Sequence, residues 1–459
     1  MDLKGRKVTV IGLGNSGLNA ALLLHEVGAE VRVTDSSAMD KLKSTANSLI
    51  DKGIDVETGT HTRRYVEGSD LVVVSPGIDE TSRALRWAAE LGIPVISELE
   101  LGFNYCRGKI IAITGTNGKS TVVTLIGEML KAGGKDAVVC GNIGNSLCGE
   151  MARIKEDTWA VIEVSSFQLE RIKYFKPMIA VVLNITDDHL DRYKTFDDYY
   201  REKLKIFANQ DKHDILILNH DAPNVRDLSE KTNSRVFFYG RSSADINGAY
   251  LKDGKVCVSV DGKEKYIIAA KDIRLKGLHN IDNVLVSGLV AALVGVSDVT
   301  IKNTVKSFKG LPHRFETIAM IDGVEYIDDS KGTTVDSTYR ALESCDRDVI
   351  LIAGGKDKKS DYSLVKDLII SKVGRLILIG EAAPKIKSIL SEHVRTFEAK
   401  DLSEAVSMAH TASTGREIVL LSPMCSSFDM FGDYKERGEA FKKAVMGLKG
   451  SVEKAGVRA

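Results

Sequence analysis

Residues 109–121, K-I-I-A-I-T-G-T-N-G-K-S-T, decide the fold of this chain. The first six, Lys109–Thr114, form a short β-branched run, which predicts a buried strand. Apolar residues at positions 122, 125, 126, 129 and 130 share one helical face, and Gly133-Gly134 ends that pattern. The stretch therefore predicts a strand, a glycine-containing loop and a helix in direct succession.

The loop has the composition of a phosphate-binding loop. Its glycines let several backbone N–H groups turn inward, and the helix after it adds a positive N-terminal end. Lys119 can reach the outer phosphates of ATP, and the Ser120 hydroxyl can ligate Mg²⁺. The commonest pattern has a glycine where this chain has Ile113. Such a loop leaves the reaction open, because kinases, GTPases, motors and ligases all use one. The predicted contacts are Gly115, Thr116, Asn117, Gly118, Lys119, Ser120 and Thr121.

Short strands alternate with longer amphipathic stretches on both sides of the loop, which predicts an α/β fold with mostly parallel sheets. Asp-Gly turns at 253–254 and 261–262 separate short runs within 236–270, which predicts a small antiparallel insertion. We expect three domains, at residues 1–105, 106–310 and 311–459. The other predicted strands are 8–11, 31–34, 71–75, 95–96, 159–164, 179–184, 215–219, 349–353, 375–379 and 418–421. The other predicted helices are 17–27, 82–91 and 280–293.

A second glycine-rich turn, G-L-G-N-S-G at 12–17, follows the first predicted strand and precedes a helix. Such a turn accommodates a diphosphate, and Asp35 stands where dinucleotide-binding folds contact a ribose. The motif does not choose between NAD and another diphosphate nucleotide, and a purely structural turn would look similar. We expect a diphosphate ligand here.

The composition argues against nucleic acid and membranes as partners. Sixty-three basic residues balance 63 acidic ones, whereas nucleic-acid-binding proteins usually show a basic excess. The longest apolar stretch, at 284–296, contains Ser287, Gly288 and Gly295 and is shorter than the roughly 20 residues of a membrane span. Six dispersed cysteines have neither zinc-site nor disulfide spacing, which fits a cytoplasmic protein.

Polar clusters follow two further predicted strands. Glu163 ends one of them, where its carboxylate can hold the magnesium of the phosphate loop. The run N-I-T-D-D-H-L-D-R-Y at 184–193 follows the next, and suggests either metal and phosphate chemistry or a solvated turn. Lys203 lies on a later predicted helix, where the pattern alone does not distinguish it.

These motifs together resemble the Mur ligases, the ATP-dependent amino-acid ligases of peptidoglycan synthesis. The resemblance covers nearly the whole chain. It rests on the phosphate loop, G-N-I-G at 141–144, E-V-S-S-F-Q-L-E at 163–170, the run at 184–193, G-L-H-N at 277–280 with Asn283, L-P-H-R-F-E at 311–316 and D-D-S-K-G-T at 328–333. It implies Rossmann-like N- and C-terminal domains around a central domain of the P-loop ATPase type.

The resemblance also implies an activity. S-S-F-Q-L-E at 165–170, D-H-L-D-R-Y at 188–193 and S-P-M-C-S-S-F-D at 422–429 favour the member that adds D-glutamate to UDP-N-acetylmuramoyl-L-alanine. An L-alanine-adding ligase remains an alternative, and an NAD-dependent oxidoreductase a more distant one. The implied partners are these small molecules and ATP, and we expect the protein to be a monomer.

Residue roles follow from the same resemblance. Ser120 and Glu163 would ligate one Mg²⁺, while His189 and a Lys203 carbamylated by CO₂ would hold a second. Lys205 is the rival of Lys203 for that modification. The implied catalytic residues are Lys119, Glu163, His189, Lys203 and Lys331. Further ATP contacts would come from Asn283, Arg314 and Asp329. Substrate contacts would come from Asn15, Ser16, Asp35, Ser36, Gly77 and Asn142 for the nucleotide sugar, and from Thr333, Lys358, Ser427 and Tyr434 for D-glutamate.

Overall fold

The structure is a computed structural model that describes residues 1–188, 192–242, 246–275 and 277–456, with side chains up to residue 448. The chain forms two compact units. The first comprises Met1–Ile185, Asp197–Ala270 and Asn283–Val305, and the second Thr186–Phe196, Lys271–Asp282 and the chain from Lys306 onward. Among the described residues, no helix combines the length and the apolar character that a membrane crossing requires.

The first sheet belongs to the first unit and has five parallel strands in the order β3-β2-β1-β4-β5. Its strands are β1 (Lys7–Ile11), β2 (Glu30–Asp35), β3 (Asp55–Thr58), β4 (Leu71–Val74) and β5 (Val95–Ser97). Its helices are α1 (Asn15–Glu26), α2 (Met39–Ile50), α3 (Arg63–Val66), α4 (Arg83–Glu90) and α5 (Glu98–Tyr105). The all-buried run of β4 is typical of a parallel strand that is covered on both faces.

The second sheet has nine strands in the order β14-β13-β12-β11-β10-β9-β6-β8-β7. Its strands are β6 (Lys109–Thr114), β7 (Ala137–Gly141), β8 (Trp159–Glu163), β9 (Ile179–Val182), β10 (Ile215–Asn219), β11 (Arg235–Gly240), β12 (Gly248–Lys252), β13 (Lys255–Val260) and β14 (Lys263–Ala269). The helices of this part are α6 (Lys119–Ala132), α7 (Ser166–Leu169), α8 (Phe196–Leu204), α9 (Pro223–Arg226), α10 (Leu278–Leu293) and α11 (Asp298–Ser307). Strand β6 lies between β8 and β9, so the loop after it emerges at the middle of a parallel sheet.

The third sheet belongs to the second unit and has the order β15-β16-β20-β17-β18-β19. Its strands are β15 (Glu316–Ile321), β16 (Val324–Asp328), β17 (Val349–Gly354), β18 (Val373–Ile379), β19 (Arg395–Glu398) and β20 (Ile418–Leu421). Its helices are α12 (Val335–Glu343), α13 (Lys366–Lys372), α14 (Ala383–Leu390), α15 (Leu402–Ala412) and α16 (Tyr434–Gly456). Only the β15–β16 pair is antiparallel among the strand pairs of this sheet in the described residues.

Alternate residues of β17 enter two different cores. Leu351 and Ala353 pack in one apolar cluster, whereas Ile350 and Ile352 pack in another. Successive side chains of a strand point to opposite faces of its sheet. Both faces of this sheet are therefore covered by apolar contacts.

The predicted α/β fold class, with a mostly parallel central sheet, is confirmed. The insertion needs a correction, because its first strand, β11, pairs parallel with both β10 and β12. Only the β12–β13 and β13–β14 pairs of the described insertion are antiparallel, and an Asp-Gly turn joins the strands of each pair. The predicted strand at 179–184 ends at Val182, since Asn184 leaves the sheet to bond with the phosphate loop. The domain boundaries stay predictions.

Candidate active site

The glycine-containing loop between β6 and α6 has the backbone that its composition predicts. Gly115 has φ +153° and Gly118 has φ +88°, a conformation that favours glycine. A Cβ at position 118 would lie 2.8 Å from Asn283 Oδ1, so a side chain here would displace the Asn283 amide. Asn283 of α10 thus lies directly against the loop, and its contact with ATP stays a prediction.

Asn184 fixes the loop in place, a role that the sequence did not reveal. Its side-chain oxygen accepts a hydrogen bond from Asn117 N (2.8 Å), and its amide donates to Asn117 O (3.1 Å). Its backbone oxygen accepts a further bond from Thr116 N (2.8 Å). The available signal was a polar residue just after the strand that pairs with β6. Asn184 therefore holds the loop from the neighbouring strand end.

Two lysines converge on the same loop. Lys119 Nζ donates to the carbonyl oxygens of Gly115 and Thr116, at 2.8 Å each. Lys203 Nζ donates to Gly115 O at 2.9 Å, and its side chain is only 2% exposed. The Lys203 ammonium also lies 4.7 Å from the ring centroid of Tyr199, whose hydroxyl is 3.0 Å from Thr116 Oγ1.

Lys205, the rival for the modified position, lies elsewhere. It pairs with Glu202 (2.6 Å) and donates to Glu170 O (3.2 Å). The structure thus brings Lys203, and not Lys205, to the phosphate loop. The modification of Lys203 stays a prediction.

Oxygen side chains suited to Mg²⁺ lie at the ends of neighbouring elements. Ser120 and Thr121, in the first turn of α6, are 4% and 8% exposed. Glu163 ends β8, where it pairs in register with Ile113 of β6, and is 3% exposed. A hydroxyl and a carboxylate are hard oxygen donors of the kind that Mg²⁺ prefers. His189, the predicted ligand of a second ion, lies outside the described residues.

Asn142 of the G-N-I-G run joins this end of β8. Its side-chain amide donates to Glu163 Oε1 (2.8 Å), and its backbone N–H donates to Glu163 O (2.9 Å). Two residues on, Gly144 O accepts a long bond of 3.5 Å from Asn15 Nδ2 of the N-terminal glycine turn. The structure therefore brings the predicted nucleotide-sugar residues Asn15 and Asn142 to the same part of the first unit.

The N-terminal glycine turn is tightly packed. Gly12 has φ +93°, and a Cβ at Gly17 would lie 1.8 Å from Gly12 O. Asp35 accepts hydrogen bonds from Leu13 N (2.6 Å) and Ser37 N (2.7 Å). Its carboxylate thus ties the turn to the end of β2. Of the other residues predicted to contact the nucleotide sugar, Ser16 is half-buried, and Ser36 and Gly77 are exposed.

Asp329 is the main titratable group at the predicted ATP end of the second unit. It follows β16 and accepts hydrogen bonds from Ser422 Oγ (2.8 Å) and Phe315 N (3.2 Å). Burial raises the pKa of its carboxyl to about 7, while the Ser422 hydrogen bond and the charge of Arg314 oppose that rise. The charge of Arg314 therefore acts on the Asp329 carboxyl, and the ATP contacts of both residues stay predictions.

Lys331 and Tyr434 are also brought together. The Lys331 ammonium lies 3.9 Å from the centroid of the Tyr434 ring, a cation–π contact. Thr333 N donates to Lys331 O at 2.8 Å. Three of the predicted residues of the second unit therefore occupy one loop and the start of α16.

Lys358 and Ser427 lie on two loops that run side by side. Lys356 N donates to Ser426 O (2.9 Å), which pairs the loop after β17 with the loop after β20. Ser427 is 3% exposed, whereas Lys358 is 23% exposed with its ammonium 4.0 Å from Asp188 Oδ1. Lys358 and Ser427 thus lie in loops that follow the carboxyl ends of two strands, where α/β folds bind ligands.

Known proteins of similar sequence decide the family. A UDP-N-acetylmuramoylalanine–D-glutamate ligase of Koribacter versatilis is 42% identical over 445 residues, which span 97% of this chain and 98% of the relative. The enzyme of the same name from Thermoanaerobacter sp. is 42% identical over 453 residues, with 98% and 100% covered. The chain belongs to the Mur ligase family.

Three family models match successive parts of this Mur ligase. The Mur ligase MurD-like N-terminal domain matches residues 6–97, the Mur ligase middle domain residues 113–291, and the Mur ligase glutamate ligase domain residues 313–425. The family that the motifs predicted is therefore confirmed.

Solved structures show the same fold at low sequence identity. A pseudomurein peptide ligase type C from Methanothermus fervidus has a TM-score of 0.61 at 19% identity, covering 97% of this chain and 100% of that one. The UDP-N-acetylmuramate-alanine ligase of Thermotoga maritima also has a TM-score of 0.61, at 17% identity, with 96% and 100% covered. These similarities confirm the Mur ligase fold alone.

Proposed function

We propose that the chain joins D-glutamate to UDP-N-acetylmuramoyl-L-alanine by an amide bond, at the expense of ATP, in the synthesis of peptidoglycan precursors. The observation that carries this proposal is the 42% identity, over nearly the full length of both chains, with enzymes named for that reaction. The geometry supports it with a complete phosphate-binding loop in the first unit and carboxylate-binding candidates in the second.

The first step transfers the γ-phosphoryl group of ATP to the carboxylate of the L-alanine residue. Two anions meet in this step, so charge neutralisation is the main catalytic need. Lys119 and the loop N–H groups bind the phosphates, Asn283 contributes from α10, and Lys331 assists. The products are an acyl phosphate and ADP.

Magnesium fits the donor set of the loop. The Ser120 hydroxyl and the Glu163 carboxylate would hold an ion, which supplies further neutralisation of the phosphate charge when bound. Lys203 is an amine that donates to Gly115 O in the structure. An ammonium cannot ligate a metal, whereas a carbamate offers anionic oxygens. A second ion would therefore be held by a carbamylated Lys203 and by His189.

The second step forms the amide. The amine of D-glutamate attacks the acyl carbon, a base accepts the proton that the amine loses, and inorganic phosphate leaves. Lys358, Ser427 and Tyr434 bind the carboxylates of D-glutamate, with Thr333 nearby. The enzyme excludes water from this step, because water would hydrolyse the acyl phosphate.

The nucleotide-sugar end binds at the N-terminal glycine turn. Asn15, Ser16, Ser36, Gly77 and Asn142 contact the nucleotide sugar. Asp35 keeps the turn in shape through its bonds to Leu13 N and Ser37 N. We place the reaction in the cytoplasm. We expect the enzyme to be a monomer that serves cell-wall synthesis, cell shape and cell division.

The test is an ADP-release assay with UDP-N-acetylmuramoyl-L-alanine, ATP and Mg²⁺. The amino acids supplied singly are D-glutamate, L-glutamate, L-alanine, L-lysine and diaminopimelate. We expect ADP release that depends on D-glutamate. Release with L-lysine or diaminopimelate and none with D-glutamate would contradict the proposal. UDP-N-acetylmuramate paired with L-alanine tests for the L-alanine-adding enzyme.

A further inference from the structure

Arg437, in the first turn of α16, is a buried charge with no part in the steps above. Its side chain is 1% exposed. Removing a guanidinium from water is costly unless its N–H groups find acceptors. A buried arginine at this place therefore requires a structural explanation.

The guanidinium is hydrogen-bonded to two loops. Arg437 Nε donates to Ser330 Oγ (3.0 Å), and Nη2 donates to Ser330 O (2.8 Å) and to Cys425 O (3.1 Å). Nη1 donates to Ser426 O at 3.2 Å. Ser330 Oγ in turn donates to Tyr434 O (2.8 Å), which closes the network onto the start of α16.

A third loop is shaped to admit the same guanidinium. A Cβ at Gly355 would lie 3.1 Å from Arg437 Nη1 and 2.3 Å from Ser426 O. Gly355 has φ +132°, so a side chain there is disfavoured by the backbone as well. The loop after β17 thus approaches Arg437 closely because it carries no side chain at this point.

The three loops follow three adjacent strands. Strands β16 and β17 both pair in parallel with β20, so their carboxyl ends lie together. The loop after β16 carries Asp329 and Lys331, the loop after β17 carries Lys358, and the loop after β20 carries Ser427. Arg437 therefore connects the segments that hold the predicted ligand contacts of the second unit.

The charge of Arg437 is met by neutral acceptors. Among the residues that the structure describes, no carboxylate oxygen lies within 4.0 Å of its nitrogens, and its four hydrogen bonds go to three carbonyl oxygens and one hydroxyl. Asp328, Asp329 and Asp429 act on it only through longer-range electrostatics. The side chain thus binds backbone carbonyl groups and a hydroxyl instead of a carboxylate.

We propose that Arg437 is a positioning residue that fixes these three loops in the arrangement that binds the anionic groups of D-glutamate and ATP. The inference rests on the proposed function. It predicts that loss of the planar donor set weakens the binding of D-glutamate and ATP. The binding of the nucleotide-sugar substrate, which we place at the first sheet, should be unaffected.

The test compares Arg437→Lys and Arg437→Met with Phe441→Leu. Phe441 is buried one turn further along α16 in an apolar cluster and has no polar side-chain atom, so its substitution weakens the same helix and leaves the hydrogen bonds of Arg437 in place. We expect KM for D-glutamate and for ATP to rise about 10- to 100-fold in the Arg437 variants, because charged hydrogen bonds are lost. The Kd of UDP-N-acetylmuramoyl-L-alanine, measured by calorimetry without ATP, should stay within about twofold of wild type. Phe441→Leu should lower the unfolding midpoint and leave both KM values unchanged.

Unchanged KM values in folded Arg437→Lys and Arg437→Met would overturn the proposal. Equal losses of affinity for D-glutamate, ATP and UDP-N-acetylmuramoyl-L-alanine would overturn it as well. If neither variant folds, Ser330→Ala replaces them, since it removes only the Arg437 Nε acceptor and the bond to Tyr434 O. It should raise both KM values several-fold, and unchanged values would refute the role. A wild-type enzyme that rejects D-glutamate would refute the proposed function instead, and KM for ATP would still test Arg437.

Discussion

Asn184→Ala is the substitution that most sharply tests how the phosphate loop is held. The side chain makes two hydrogen bonds to the backbone of Asn117, at 2.8 and 3.1 Å, and both are lost in the variant. The bond from Thr116 N to the Asn184 backbone oxygen remains. At about 1 kcal/mol for each lost bond, the ordered loop is destabilised by about 2 kcal/mol. ADP affinity should therefore fall by up to about 30-fold.

Calorimetric titration with MgADP measures this change directly. Asn219→Ala is the matched control, because Asn219 occupies the corresponding end of β10 and bonds to Leu183 O (3.2 Å) and Asp221 N (3.0 Å). It removes the same side chain and two hydrogen bonds but none of the contacts to the loop. Unchanged ADP affinity in Asn184→Ala, or equal weakening in Asn219→Ala, would refute the argument.

Three further predictions concern buried or charged groups, and two of them include a control substitution. Lys203→Ala should abolish amide formation, with partial rescue by an added small carboxylate, whereas Lys205→Ala should retain activity. Equal losses of activity in the two variants would contradict the carbamylation of Lys203. Glu100→Gln should lower the free energy of unfolding in urea by about 2–4 kcal/mol, because the carboxylate accepts three backbone N–H bonds. Glu98→Gln should lower that free energy by less, since burial raises the pKa of Glu98. Burial raises the pKa of Asp329 to about 7, so its ionisation lowers the stability of the folded protein as pH rises from about 4 to above 7. The unfolding midpoint of Asp329→Asn should therefore exceed that of wild type by more at pH 8 than at pH 5, and a difference that does not depend on pH would contradict this.

Much of the fold could be predicted because apolar runs determine buried parallel strands. Strands β6, β10 and β20 have the predicted bounds, and most of the other predicted strands end within two residues of theirs. Helix α2 was missed because only Ala46 and Leu49 of its residues are buried, which gives a weak apolar face. The hairpin β15–β16 was missed although Asp322-Gly323 is a typical hairpin turn.

The candidate site was only partly predictable. Lys119, Ser120 and Glu163 belong to local strand–loop patterns, so their places follow from the sequence. Asn184 acts because β9 pairs with β6, and strand order is a tertiary property that one sequence does not display. Arg437 lies among the charged residues Lys435, Glu436 and Glu439, so the local sequence gives no sign that it is buried. Its burial depends on three loops that are distant in the chain.

The most direct test of the central claim follows oxygen atoms. UDP-N-acetylmuramoyl-L-alanine labelled with ¹⁸O in its carboxylate is incubated with ATP, Mg²⁺ and D-glutamate, and the inorganic phosphate is analysed by mass spectrometry. An acyl phosphate predicts one ¹⁸O in each phosphate released, with one amide formed per phosphate. Unlabelled phosphate, or phosphate released without amide, would contradict the account.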